Sequence, residues 1–139
     1  MNEQPEAIQV VQQWIELAEE DRTNAQHTLT LHEHCPFRTV CFHCQQCVEK
    51  YLKAILIFRS VPFPRTHDLS VLLSLLPSDV KLATSQRDIE TLTQYAVETR
   101  YPGWPEPVTR LEAKHAFQVM DEVRNAIRSL LPLKEPEAS

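Results

Sequence analysis

The stretch that decides the fold is CPFRTVCFHCQQCVEKYLK, residues 35–53. It contains all four cysteines of the 139-residue chain in the spacing C-x5-C-x2-C-x2-C, and His43 lies among them. Two interpretations compete, a metal site and a helix that uses cysteine as a small apolar residue. If each residue turns the helix by about 100°, Cys41, Cys44 and Cys47 share one face with the apolar residues that follow.

That geometry favours cysteines in a helix core. His43 lies on the opposite face, and a continuous helix cannot wrap an iron–sulfur cluster, which also needs a fourth thiolate. Zinc sites usually separate two ligand pairs by about a dozen residues, and the sequence has no second pair. Free cysteine often behaves as a small buried hydrophobe. We therefore expect no metal and no other cofactor; the metal site stays as the alternative.

The composition indicates one globular domain. Apolar residues make up 42% of the chain and charged residues 24%, as in ordinary globular proteins. The net charge of −5 argues against a protein that coats nucleic acid by charge alone. The first ten residues lack the pattern of a signal peptide, and the longest apolar run, AILIF, is too short to cross a bilayer. We expect a cytoplasmic protein without membrane segments, in which cysteines remain thiols.

The pattern along the chain predicts an all-helical fold. The only glycine, Gly103, disfavours an all-β fold, whose hairpins need positive φ angles. Apolar periodicity predicts helices over about 6–30 and 37–59, a short helix capped by Thr66, another over about 85–99, and a last one from about 109. Ser85 with Asp88 and Thr109 with Glu112 resemble capping boxes. The expected core of the last helix comprises Ala113, Ala116, Met120, Val123, Ile127 and Leu130. The domain is predicted to span residues 6–131, and residues 132–139 to form a frayed tail.

The second helix also carries a polar stripe. His43, Gln46, Lys50 and Lys53 fall within an arc of about 80° on its otherwise apolar surface. The stripe is either a solvated face or a binding face for phosphate or RNA. Glu49 precedes Lys53 by four residues, the favourable order for a local ion pair, so part of the positive charge is neutralised.

These residues resemble a known family. The segment CFHCQQCVEKYLKAIL is similar to the signature helix of HEPN domains, where Phe-His-x-Gln-Gln-x-x-Glu-Lys-x-x-Lys-Ala is typical. Alanine is common in that family where Cys44 and Cys47 stand here. FPRTHDLSVLL and RYPG resemble the family's following segments in the same order. The resemblance covers residues 10–131 and is specific because three segments match in order.

The resemblance implies an antiparallel up-and-down bundle of four to five helices that forms a homodimer. It also implies a helical partner of a minimal nucleotidyltransferase in a toxin–antitoxin-like module, with nucleotide or RNA binding. The binding residues would be His43, Gln46, Lys50 and Lys53, together with Arg100 and Tyr101 in the loop before the last helix. Functional residues often concentrate on such loops.

Two alternatives remain open. Some HEPN proteins are metal-independent ribonucleases with an Arg-x4–6-His pair, and Arg110 with His115 is the only late match in this chain. An arginine for phosphate charge and a histidine for proton transfer suit that chemistry. The chain has three Arg-x4-His matches where about one is expected by chance, so the pattern is weak. The second alternative is an interaction scaffold that binds no ligand.

Overall fold

The computed structural model describes residues 5–96 and 107–132. In these ranges it contains five α-helices, α1 (Pro5–Thr28), α2 (Phe37–Phe58), α3 (Leu69–Ser74), α4 (Gln86–Thr91) and α5 (Arg110–Arg128), and a 3₁₀ helix at Leu92–Tyr95. The all-helical bundle predicted from the sequence is confirmed. The loop with Arg100 and Tyr101, and most of the predicted tail, lie outside the described residues.

The long helices pack as an antiparallel bundle around α2. Asp21 of α1 contacts His43 of α2, and Glu19, which is earlier in α1, contacts Tyr51, which is later in α2. The two helices therefore run antiparallel. α1 and α5 also run antiparallel, because Arg22 binds Asp121 and Glu19 binds Arg124. Within the described ranges, no helix is both long and apolar enough to cross a membrane.

The cysteines of α2 lie in the core, as predicted. Cys41, Cys44 and Cys47 are fully buried together with Tyr51, Leu52 and Ile55. Burial raises the pKa of the Cys44 and Cys47 thiols well above the ordinary value, and neighbouring carboxylates add to the effect. The thiols therefore stay protonated and pack as small apolar groups.

The end of α2 is a Schellman motif without glycine. The backbone N–H of Val61 donates to the carbonyl of Leu56, and that of Ser60 donates to Ile57. Ser60 takes a φ of 59°, a left-handed conformation that glycine usually supplies at this position. The motif sets the direction in which the connector to α3 leaves the bundle.

The short helices begin at side-chain caps, one of which differs from the prediction. The N-cap of α3 is Asp68 and not Thr66, because the Asp68 carboxylate accepts from the backbone N–H of Ser70. Thr66 instead accepts from the N–H of Asp68. Ser85 caps α4 as predicted, by accepting from the N–H of Asp88. The sequence predicted one helix over about 85–99. In the structure the α-helix ends at Thr91 and the chain continues as the 3₁₀ helix.

The last helix follows its predicted pattern except at the end. Thr109 caps α5 by accepting from the N–H of Glu112. Five of the six predicted core residues are buried: Ala113, Ala116, Met120, Val123 and Ile127. The prediction for Leu130 is wrong, since it is 43% exposed while Leu131 is buried. The helix ends at Arg128 and the chain tightens into turns, so helical periodicity no longer applies.

Candidate functional site

The predicted stripe is the least buried line of α2. Between residues 40 and 57, the half-exposed positions are Phe42, His43, Gln46, Lys50 and Ile57. Lys53 departs from the prediction, because it is buried. The structure divides the four stripe residues between two clusters, each built around a carboxylate.

The first cluster joins α1 to α2 through Asp21. One Asp21 oxygen accepts from Nδ1 of His43 at 2.8 Å, and the other accepts from Nζ of Lys50 at 2.5 Å. A carboxylate only accepts, so the hydrogen bond places a proton on Nδ1 of His43. The Asp21 side chain is 10% exposed, whereas those of His43 and Lys50 are 17% and 20% exposed. We call these three residues the Asp21 cluster.

The second cluster, which we call the Glu49 cluster, joins α2 to the connector before α3. One Glu49 oxygen accepts from Nζ of Lys53 at 2.9 Å, and the other accepts from Nδ1 of His67 at 2.9 Å and from Gln45 at 3.1 Å. Lys53 lies between the rings of Trp14 and Phe63, at 5.6 and 5.9 Å from their centroids. The predicted local pairing of Glu49 with Lys53 is confirmed.

The carboxylate of Glu49 is held in its charged form. Burial raises its pKa, but hydrogen bonds from Lys53, His67 and Gln45 outweigh burial and keep the pKa below the ordinary value. Gln46, the remaining stripe residue, donates to Gln45 at 2.6 Å. Hydrogen bonds therefore run from the stripe into the Glu49 cluster.

A third network, which contacts α2 at Tyr51, involves Glu19. Its carboxylate accepts two hydrogen bonds from Arg124 and one from the hydroxyl of Tyr51, to which Arg128 also donates. Burial raises the pKa of Glu19, but the hydrogen bonds of Arg124 and Tyr51 hold it below the ordinary value. Glu19 and Arg128 border an open groove of about 840 Å³ along α1. None of the four stripe residues lines this groove.

Arg110 and His115 point to different neighbours. Arg110 donates to the backbone carbonyls of Leu29 and Leu31 beyond α1, and its guanidinium stacks 4.7 Å from the ring centroid of Phe37. His115 is mostly exposed and faces Asp88 at 3.8 Å. Five residues on a helix correspond to a rotation of about 140°, so the pair does not converge on one point. In the described ranges, no group of three or more His, Cys, Asp or Glu is arranged to hold a metal.

Sequence reasoning missed Asp21, one of the two carboxylates that organise the stripe. The importance of Asp21 can be recognised from its position in the sequence. It follows Ala18 by three residues and precedes Ala25 by four, so it falls on the buried stripe of α1. An acidic residue at an apolar position needs a buried partner. Glu49 had its own signal in the Lys53 spacing, but nothing local indicated that His67 would complete the cluster.

Comparison with known proteins agrees with this architecture. A model of the HEPN domain matches residues 11–130. The crystal structure of TT1696 from Thermus thermophilus is similar, with 28% identity, a TM-score of 0.73, and coverage of 87% of this chain and 98% of that chain. ST0689, described as an archaeal HEPN homologue, has 25% identity, a TM-score of 0.68, and coverage of 86% and 96%. No curated protein matches the chain significantly. Because the family model spans most of its length, the chain belongs to the HEPN domain family.

Proposed function

We propose that this HEPN protein is the helical partner of a minimal nucleotidyltransferase in a toxin–antitoxin-like module, and that it binds a nucleotide or RNA. The partnership rests on the likeness of its signature helix to that branch of the family. The proposed compartment is the cytoplasm, in keeping with four cysteines that form no disulfide bonds.

The observation that carries the ligand proposal is the unused hydrogen-bonding capacity of the Asp21 cluster. Lys50 has three N–H donors, and one of them binds Asp21. Nε2 of His43 has no hydrogen-bond partner among residues 5–96 and 107–132, and both side chains are partly exposed. The two remaining N–H groups of Lys50 suit a phosphate oxygen, with which they can form strong charge-assisted hydrogen bonds.

The other proposed contacts differ in how directly the structure supports them. Gln46 is partly exposed on the same stripe, and its amide donates to Gln45 of the Glu49 cluster. Lys53 is enclosed, so its contribution is to position Glu49 and the connector. Arg100 and Tyr101 remain part of the proposed binding surface on the strength of the family likeness alone.

Binding is tested by calorimetric titration with ATP, a short RNA and a minimal nucleotidyltransferase. Lys50→Gln should weaken phosphate binding by about 1.5–3 kcal/mol, the size of a charge-assisted hydrogen bond. Lys114→Gln is the matched control, because it removes the same charge from an exposed position on α5. If both variants bind all three ligands as the wild type does, the stripe has no binding role and the scaffold alternative gains support.

The proposed assembly is a homodimer. Its support on the surface is the outward side of α1, where Val10 and Leu17 are exposed large apolar side chains. Light scattering at micromolar concentration should give the mass of two chains. The mass of one chain would exclude this part of the proposal.

A metal-independent ribonuclease is the second candidate. The exposed imidazole of His115 beside Asp88 favours it, whereas the hydrogen bonds of Arg110 to the carbonyls of Leu29 and Leu31 weigh against a shared catalytic site. RNA cleavage in EDTA that is lost in His115→Ala would support this candidate. Cleavage that persists in His115→Ala would assign any activity to other residues.

A further inference from the structure

The Asp21 cluster is already occupied by an anionic group of the protein itself. Each oxygen of Asp21 accepts one hydrogen bond, one from Nδ1 of His43 and the other from Nζ of Lys50, and two N–H donors of Lys50 remain. The carboxylate is nearly buried, and it comes from α1 while both donors come from α2. Any anion that approaches these donors must displace Asp21 or bind within a few ångströms of its charge.

On this basis, and resting on the phosphate binding proposed above, we infer that Asp21 determines the specificity of the site. It disfavours the singly charged phosphodiesters of an RNA backbone and admits terminal phosphate groups. A phosphodiester carries one charge, the same as the carboxylate with which it competes, so the exchange brings no electrostatic gain. A phosphomonoester carries about −1.5 to −2 charges at pH 7 and three acceptor oxygens, which is enough to compete with Asp21.

The ligand class is therefore a nucleotide or an RNA end that bears a terminal phosphate. Both sources present the same terminal phosphate to the Asp21 cluster. Asp21 competes with the incoming anion for His43 and Lys50. Removal of the Asp21 charge should therefore strengthen anion binding clearly, by about tenfold or more.

The Glu49 cluster provides an internal control. It contains the same groups, but Lys53 is buried and its ammonium contacts the rings of Trp14 and Phe63, so an anion reaches it less readily than it reaches Lys50. Glu49→Gln frees the buried Lys53 and the exposed His67, and the histidine has no accessible lysine beside it in this cluster with which to hold an anion. Asp21→Asn frees a lysine that a ligand can reach, so only the Asp21 substitution should increase affinity.

The experiment compares three probes: ATP, a 5′-phosphorylated RNA tetranucleotide and an unphosphorylated RNA hexanucleotide. The two RNAs carry similar total charge, about five negative charges each when the terminal phosphate is doubly ionised, so a difference between them reports the terminal group. Affinities are measured calorimetrically for the wild type, Asp21→Asn and Glu49→Gln. The affinity for ATP is compared with the affinity for the phosphorylated RNA. The tighter of the two shows whether the site takes its phosphate from a free nucleotide or from an RNA end.

We expect the wild type to prefer the phosphorylated RNA over the hexanucleotide, and Asp21→Asn to bind the hexanucleotide about tenfold more tightly than the wild type does. The preference for a terminal phosphate should shrink in Asp21→Asn and persist in Glu49→Gln. Circular dichroism checks that each variant folds. If Asp21→Asn does not fold, Asp21→Ser and the wild-type preference alone still test the inference.

The outcomes separate this inference from the function on which it rests. A wild type that binds both RNAs equally, or an Asp21→Asn variant that binds no more tightly than the wild type, overturns the role of Asp21 and leaves phosphate binding in place. Failure of the wild type and Asp21→Asn to bind any of the three probes overturns both.

Discussion

The Asp21 and Glu49 clusters contain the same three groups, a carboxylate, a histidine and a lysine, yet they offer different chemistry. In the Asp21 cluster, the carboxylate is nearly buried while the lysine and histidine reach the surface. In the Glu49 cluster, the lysine and carboxylate are buried while His67 is 69% exposed. The packing around each polar group, and not the residue type alone, therefore determines whether a ligand can reach it.

The difference arises from what covers each part of α2. Lys53 lies under the connector between α2 and α3, which contributes Phe63 and His67, and against Trp14 of α1. Lys50, three residues earlier, contacts Asp21 of α1 and remains partly open. One helix thus carries a structural lysine and an accessible lysine on the same stripe.

The largest expected effect is on stability, when Glu49 is replaced by Gln. The substitution leaves the ammonium of Lys53 buried without its counter-charge, and breaking a buried ion pair costs about 3–5 kcal/mol. Asp21→Asn should cost less, about 1–2 kcal/mol, because Lys50 and His43 can turn towards water. Urea unfolding followed by circular dichroism measures both values.

A double substitution tests whether the buried charge causes that loss. Glu49→Gln with Lys53→Met removes both charges, and it should recover part of the stability lost in Glu49→Gln. Equal stability losses for Asp21→Asn and Glu49→Gln would mean that the two clusters are alike, which would contradict the comparison.

The second prediction concerns acid. The folded-state pKa of Glu49 lies below its ordinary value of 4.5, so the carboxylate stabilises the fold above about pH 4.5 and loses this contribution as the pH falls through the folded-state pKa. The difference in unfolding free energy between wild type and Glu49→Gln should be constant near neutral pH and shrink below pH 4.5. A difference that stays constant down to pH 3 would contradict a charged Glu49. Glu19 adds acid sensitivity of the same sign in both proteins, so it cancels in the comparison.

How much of this could be read from the sequence depends on the range of the interaction. The helices, two of the three caps and the buried cysteines follow from local periodicity and spacing, and they were predicted. Glu49 with Lys53 is also local. Asp21 with His43 spans 22 residues and His67 with Glu49 spans 18, so each depends on how α1 or the connector packs on α2. The burial of Lys53 has the same origin, since the residues that cover it are remote in sequence.

The third prediction tests the enclosure of Lys53. Phe63→Leu keeps an apolar side chain but removes one of the two rings that face the ammonium. The loss should be about 1 kcal/mol, which combines a partly desolvated cation–π contact with some lost packing. Thermal or urea unfolding measures it. The same substitution in a Lys53→Met background should cost less, because no cation remains for the ring to contact; an equal cost would attribute the effect to packing alone.

The smallest expected effect comes from Lys50→Gln. Lys50 is half-buried and can be replaced by a side chain whose amide still donates a hydrogen bond to Asp21, so the change should lower the unfolding free energy by only about 0.5–1 kcal/mol. Because screening already weakens a partly exposed ion pair, this small difference should shrink further as salt is raised. Lys53→Gln is the matched comparison, since it places the same amide beside the buried carboxylate of Glu49, and it should cost more and respond less to salt. Urea unfolding of both variants at low and high salt gives the four values. If Lys50→Gln proves as costly and as insensitive to salt as Lys53→Gln, Lys50 is a structural residue like its neighbour, and a loss of ligand affinity in that variant would no longer indicate a binding role.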